Sequence, residues 1–211
     1  VLRLSGKVDI DGAATLGVAY LTAWRMVFGK TPIAPGAVVM VQGAGGGVSL
    51  AAAQLARMAG ARVIVTSTGA AKLDVLRAQG FEVIDYAETT VSKAVLALTN
   101  GEGADLVVDN VGAATWDQSL RSLRRGGSLV TCGATTGGSP SADLQRMFIR
   151  QLSVHGSTMG SVGEFRQLIA SFEAGGFDPL IDSTYPLDQG ADALDRLSHP
   201  DRMGKIVVRI A

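Results

Sequence analysis

The sequence predicts an α/β fold, a doubly wound parallel sheet with helices on both faces, and three observations lead there. The apolar run Val38-Val39-Met40-Val41 reads as a strand buried on both faces, and the small residues from 51 to 59 read as a helix. Glycines fill the turn between them, Gly43-Ala44-Gly45-Gly46-Gly47. Downstream, short Val- and Ile-rich runs alternate with helical segments, the pattern of repeated strand–helix units around a parallel sheet.

The elements follow in order. Residues 1–10 are short and mixed. Residues 11–28 place apolar and small residues at helical spacing, with Asp9 or Asp11 able to cap the start. Thr31-Pro32-Ile33-Ala34-Pro35-Gly36 breaks that helix and leads into the central strand. Strands are expected at 62–67, 81–85, 105–109 and 128–132, the last preceded by a Gly126-Gly127 turn. Helices are expected at 70–79, closed by Gly80, at 89–99, ended by Asn100-Gly101, and at 116–123. A flexible loop, 133–140, leaves the C-terminal end of a strand. Helix 144–149, strand 151–156 with its polar turn 157–160, and an amphipathic helix 165–174 come next. The chain closes with a short strand, a helix 187–197 and a strand 205–210. His155 reads as a strand residue with a local hydrogen bond. We divide the chain into a leading segment 1–34, a dinucleotide-binding unit 35–180 and a return segment 181–211.

A glycine turn between a buried strand and a helix lets backbone approach a ligand closely and offers it the unpaired N–H groups of the helix N-terminus. Two frames of the dinucleotide pattern G-x-G-x-x-G overlap here. One runs Gly43, Gly45, Val48; the other runs Ala44, Gly46, Ser49. The third position serves close helix–strand packing, so the frame with the small Ser49 is the better one physically.

Charge and cysteine content narrow the possible partners. Nineteen basic and nineteen acidic residues give a formal net charge of +0, without blocks of like charge, so neither nucleic acid nor a membrane surface is indicated. The uncharged stretch 38–56 is broken by glycines, Gln42 and Ser49 and reads as a strand–helix unit rather than a membrane span. A single cysteine, Cys132, argues against a disulfide framework and fits a reducing cytoplasm. No His or Cys cluster has metal-ligand spacing, so no zinc is expected. With neither initiating Met nor signal-like start, Val1 reads as the beginning of a fragment.

Seven motifs occur in sequence: Tyr20-Leu21-Thr22-Ala23-Trp24, Pro35-Gly36, Gln42-Gly43-Ala44-Gly45-Gly46-Gly47-Val48, Asp109-Asn110-Val111-Gly112, Cys132-Gly133-Ala134-Thr135-Thr136-Gly137, Gly156-Ser157-Thr158-Met159-Gly160 and Gly204-Lys205-Ile206-Val207-Val208. In that order they resemble the medium-chain dehydrogenase/reductase superfamily, and within it the zinc-binding alcohol dehydrogenase and quinone reductase branches. The resemblance implies a Rossmann fold matching the C-terminal half of such enzymes. The catalytic barrel would precede Val1, and the last strand would return to it. Where many relatives supply a zinc ligand or a cofactor-contacting threonine, this chain reads Thr15-Leu16-Gly17-Val18-Ala19.

By that resemblance the chemistry is hydride transfer between a nicotinamide cofactor and a carbonyl, alcohol or activated alkene. The pyrophosphate would lie over Gly46, Gly47, Val48 and Ser49. Asn110, Val111 and Gly112, and likewise Gly133, Ala134 and Thr135, would face the path from adenosine to nicotinamide. Ser157, Thr158 and Met159 would reach the carboxamide. No catalytic acid or base is nominated: Asp109 reads as a structural carboxylate and Tyr20 as packing. The rival reading is a non-catalytic NADPH-sensing or interaction module. A methyltransferase would want an acid at the end of the second strand, where Ser67 stands.

That same strand end bears on cofactor choice. NAD-selective folds place Asp or Glu about 20 residues past the glycine turn, against the ribose 2′-hydroxyl. Here the chain reads Ser67, Thr68, Gly69, and the next acid along it is Asp74. Ser67 and Thr68 can donate to a 2′-phosphate and Lys72 can add charge, so NADP(H) is expected. A small-molecule substrate follows from the same chemistry. The strand 151–156, apolar and without blocking Pro or Lys, is expected at a sheet edge, pairing two copies as a homodimer.

Overall fold

The computed structural model describes residues 2–5 and 8–210; the expected starts and ends at residues 1 and 211 lie outside them. Six parallel strands form the main sheet: β1 (Val38–Val41), β2 (Arg62–Ser67), β3 (Glu82–Asp85), β4 (Ala104–Val108), β5 (Leu123–Thr131) and β6 (Ser153–Gly156). Their order is β3-β2-β1-β4-β5-β6. Every ladder in this sheet is parallel, with Val39 opposite both Val63 and Leu106. The doubly wound sheet is therefore present, with β3 and β6 at its two edges.

Alternation along the strands explains the two layers. Val39, Val41, Val63, Val65 and Val108 point into one core, with α3 (Gly47–Met58) and α8 (Val162–Glu173). Met40, Ile64, Val107 and Leu129 point into the other, against α5 (Val91–Leu98) and α6 (Trp116–Ser122). Ala51, Ala52 and Ala53 of α3 are fully buried, because small side chains let this helix lie close to the sheet and to the leading helices. Leu16, Tyr20, Ala23 and Met26 share that first core.

Several expectations are corrected. The continuous helix expected over 11–28 is α1 (Ile10–Ala14), a π-helical turn Leu16–Tyr20, α2 (Leu21–Trp24) and a second π-helical turn Arg25–Lys30. Apolar periodicity does not reveal a turn that holds one extra residue. Asp9, not Asp11, caps α1, accepting from Asp11 N–H and Gly12 N–H, while Asp11 pairs with Arg209. The Gly126-Gly127 turn lies inside β5. Leu123 pairs with Ala104, the chain bulges, and pairing resumes at Ser128 with Leu106. Helix α4 (Ala70–Ala78) follows β2, and α7 (Leu144–Arg150) precedes β6. Both α5 and α6 are slightly shorter than expected.

The C-terminal strand does not join the main sheet. β7 (Ile181–Pro186) and β8 (Lys205–Arg209) pair in parallel as a separate two-stranded sheet, joined by α9 (Gly190–Ser198). Asp182 clips this unit together: it accepts from Arg196 Nε and Nη2 (both 2.8 Å) and from Met203 N–H (2.9 Å). The Arg196 guanidinium holds the Asp182 carboxyl down at about 2, below the usual carboxylate range.

Candidate functional site

All the residues expected to bind cofactor follow the C-terminal ends of parallel strands and so share one edge of the sheet. The strand order reverses direction between β1 and β4, and the crevice of an open α/β sheet forms at that point.

The glycine turn mixes the two predicted frames. Gly43, not Ala44, is the left-handed residue (φ +62°), and a Cβ there would meet Val111 Cγ2 at 3.2 Å. Ala44 is fully buried. At the other end Ser49, not Val48, is the small buried residue against the strand, as its frame predicted. The turn is thus one residue longer than G-x-G-x-x-G. Gly46 caps α3, and the first bond into that helix runs from Leu50 N–H to Gly46 O (2.9 Å). The N–H groups of Gly47, Val48 and Ser49 have no partner among the described residues, which makes the start of α3 a site for an anion.

Two ammonium groups flank it. A Cβ built on Gly45 would lie 3.6 Å from Lys72 Nζ, and one on Gly47 would lie 3.7 Å from Lys205 Nζ. Lys72 is expected at the 2′-phosphate by the end of β2, whereas here its ammonium lies beside Gly45; Lys205 is not among the expected site residues. Its position follows from β8, where Lys205 N–H donates to Leu180 O (2.9 Å). The preceding Gly204, at φ +91°, brings the backbone against that same carbonyl in a way no Cβ would allow. The Gly204-Lys205 motif was the signal available in the sequence.

At the end of β2, Ser67 is buried, Thr68 is half-buried, and Gly69 turns at φ +88° into α4. In register, Asp85 of β3 lies beside Ser67, an acid that reading along the chain to Asp74 does not reveal. Its Oδ1 accepts from Ala87 N–H (3.0 Å).

The turns after β4 and β5 interlock. Val111 and Gly112 N–H both donate to Asp109 Oδ1 (2.9 and 3.1 Å), which commits those amides to the protein. Asp109 is fully buried and structural, as expected. Thr136 N–H donates to Val111 O (2.8 Å) and Ala113 N–H to Gly137 O (3.0 Å), so the first half of the loop expected to be flexible is tied down. Asn110 Oδ1 accepts from Cys132 N–H (3.1 Å), and its buried Nδ2 has no partner among the described residues. Burial pushes the Cys132 thiol up. Gly133, Ala134 and Thr135 lie exposed beside this pair.

After β6, Ser157 N–H donates to Thr131 O (2.8 Å), while Ser157 Oγ is a second buried polar atom without a partner. Thr158 is exposed. Met159 takes a left-handed conformation (φ +46°), and its sulfur accepts from Thr22 Oγ1 at 3.8 Å. Gly160 sits so close to Leu21 that a side chain would overlap it. His155 makes no side-chain hydrogen bond among the described residues, against the local bond expected of it.

A cleft of about 540 Å³ opens beside the glycine turn. Gln42, Thr66, Tyr86, Thr115 and Gln118 line it, and of the predicted site residues only Val111 does. Single-sequence patterns gave no reason to choose the others. Tyr20 lies elsewhere, stacked on Phe177 at 5.1 Å with its hydroxyl donating to Gln54 Oε1. The ring packs in the core, and that burial raises the Tyr20 pKa. Thr15, in the segment that departs from the resembled pattern, is buried and donates to Gly12 O. Among the described residues no group of three His, Cys, Asp or Glu is placed to hold a metal, and no helix is long and apolar enough to cross a membrane.

Comparison with known proteins agrees with this fold. The family model described as zinc-binding dehydrogenase matches residues 47–174. A zinc-type alcohol dehydrogenase-like protein of Schizosaccharomyces pombe is 34% identical over 97% of this chain and 61% of its own length. Human quinone oxidoreductase is 29% identical over 94% of this chain and 62% of its own. Among solved structures, an NAD-dependent alcohol dehydrogenase superposes with a TM-score of 0.91 at 34% identity, over 100% of this chain and 62% of that one. A 2-octenoyl-CoA carboxylase reductase in complex with NADP does so at 0.86 and 25% identity, over 98% of this chain and 51% of that one. The chain thus spans about 61% of the curated relative with the highest identity here. On its sequence and its fold, the chain belongs to the zinc-binding dehydrogenase family of medium-chain dehydrogenases/reductases.

Proposed function

We propose that this chain is the cofactor-binding part of an oxidoreductase that moves hydride between NADPH and a carbonyl, alcohol or activated alkene. The observation that carries the reading is the start of α3. Three adjacent amides, Gly47 to Ser49, without a partner among the described residues, stand beside the ammonium group of Lys205, a donor set matched to a pyrophosphate. The unpartnered Asn110 Nδ2 and Ser157 Oγ fit the same ligand further along the edge. The bound dinucleotide supplies the hydride chemistry; the residues of this chain bind and orient it.

The finer assignments belong to the same proposal. Ser67, Thr68 and Lys72 receive the 2′-phosphate, and the backbone at 157–159 reaches the carboxamide. The division at 34/35 and 180/181 separates the binding unit from segments that face the rest of the enzyme. Substrate and turnover reside in the full-length protein, which acts in the cytoplasm. Calorimetric titration of the chain with NADPH and NADH tests the reading. Saturable binding of at least one dinucleotide is expected, and absence of binding by both overturns it.

A further inference from the structure

Beneath the cleft, a buried hydrogen-bond relay crosses three neighbouring strands. Gly43 N–H donates to Thr66 Oγ1 (3.0 Å), and Thr66 O–H donates to Gln42 Oε1 (2.7 Å). Gln42 Nε2 donates to Ser119 Oγ (3.1 Å), and Ser119 O–H donates to Asp109 Oδ2 (2.6 Å). Thr66, Gln42, Ser119 and Asp109 are each at most 4% exposed.

The direction of this relay is determined by its ends. An amide N–H only donates and a carboxylate only accepts, so each hydroxyl and the Gln42 amide have one consistent orientation. Asp109 also accepts from Thr115 Oγ1 and from the Val111 and Gly112 amides, which hold it in place between the end of β4 and the start of α6. The other end is a left-handed glycine in a turn with almost no side chains of its own, where backbone freedom is greatest. The second Nε2 hydrogen of Gln42 has no acceptor among the described residues, and Gln42 lines the cleft.

We propose that Gln42 is a positioning residue for the nucleotide. It takes its orientation from Asp109 through Ser119, and through Thr66 it holds the Gly43 amide, so the glycine turn has its ligand-ready shape before the ligand arrives. The inference rests on the cofactor reading of this site. Pre-ordering the turn removes a conformational cost from binding.

Two measurements on the 211-residue chain test it, each on Gln42→Leu, Thr66→Val, Ser119→Ala, the double variant Thr66→Val/Ser119→Ala and the hydroxyl-retaining Thr66→Ser. In the first, amide hydrogen exchange is followed by NMR without ligand. Exchange at Gly43 is expected to quicken about tenfold in Ser119→Ala, two links away, and in Thr66→Val, with Thr66→Ser and the strand amide of Val63 unchanged. Unchanged exchange at Gly43 in Ser119→Ala overturns the proposal. If Ser119→Ala opens the whole sheet, so that Val63 exchanges too, the Thr66→Val and Thr66→Ser pair decides by the same criterion.

In the second, NADPH and NADH are titrated calorimetrically. Each relay-breaking single variant is expected to bind about fivefold more weakly or worse, and the double variant no more weakly than the worse single, because one cut already releases the turn. Losses that multiply mean two independent structural contributions and overturn the relay. A parent chain that binds neither dinucleotide, while Gly43 exchange responds as expected, overturns the cofactor reading and with it the nucleotide role. Unresponsive exchange with binding intact overturns the relay alone.

Discussion

Arg25 forks onto Glu164 across 139 residues of chain, Nη2 to Oε2 at 2.6 Å and Nε to Oε2 at 3.0 Å, tying the leading helices to α8. Glu164 simultaneously closes a capping box with Ser161. Chiefly because of the Arg25 guanidinium, the Glu164 carboxyl is held down at about 2, against an ordinary 4.5. A depressed carboxylate stabilises the fold fully above its unfolded pKa and loses that contribution as pH falls through the folded one. Glu164→Gln is therefore expected to lower the melting temperature near neutral pH, by an amount corresponding to about 1–2 kcal/mol. That gap should narrow below about pH 4.5. A gap constant down to about pH 2.5 contradicts the assignment.

Tyr20 offers a separate test. Its hydroxyl donates to Gln54 Oε1, in the core. Tyr20→Phe leaves that acceptor short of a donor and is expected to cost about 1–2 kcal/mol in denaturant unfolding, while cofactor affinity stays within about twofold. A large loss of binding without loss of stability would assign Tyr20 to the site instead.

The two lysines are expected to behave differently. Lys205→Ala should weaken NADPH and NADH alike, by about tenfold, because a pyrophosphate is common to both. Lys72→Ala should weaken NADPH and leave NADH nearly unchanged, and Ser67→Asp should reverse the parent's preference for NADPH. Equal losses in Lys72→Ala would place its charge on the pyrophosphate beside Gly45, and equal parent affinities would end the NADPH assignment.

Asp182 has a side chain only 7% exposed and accepts four hydrogen bonds, from Arg196 twice, Met203 and Ser183. Asp182→Ala is expected to destabilise by about 3 kcal/mol, leaving the Arg196 guanidinium with Asp201 alone. Hydrogen exchange should locate the loosening in the β7–β8 unit before the main sheet. Uniform loosening would show that this unit is not a separate layer of stability.

Assembly is tested by sedimentation. β6 is one edge strand of the sheet, and Val154 on it lies near the exposed Leu144, Phe148 and Ile149 of α7 in sequence. A homodimer through this edge is expected at micromolar concentration, and Val154→Lys should disperse it. A parent chain that sediments as a monomer contradicts it.

The strands, their parallel arrangement and the sheet end that carries the candidate site are legible in the chain alone, because each depends on local runs: Val38 to Val41 for a buried strand, Gly43 to Gly47 for a turn, alternating units for a doubly wound sheet. The sequence also marked Asp109 and Tyr20 as structural. The rest depends on approaches between residues remote in the chain, which no local run encodes. Lys205 reaches Gly47 because β7 and β8 pair; Asp85 comes beside Ser67 because β2 and β3 share a register; Gln42 is oriented by a serine 77 residues away. The extra residue in the glycine turn and the two π-helical turns escaped for a related reason. Periodicity reports which face a side chain occupies, whereas backbone hydrogen bonding sets the local winding, and that is settled only when the neighbouring elements pack.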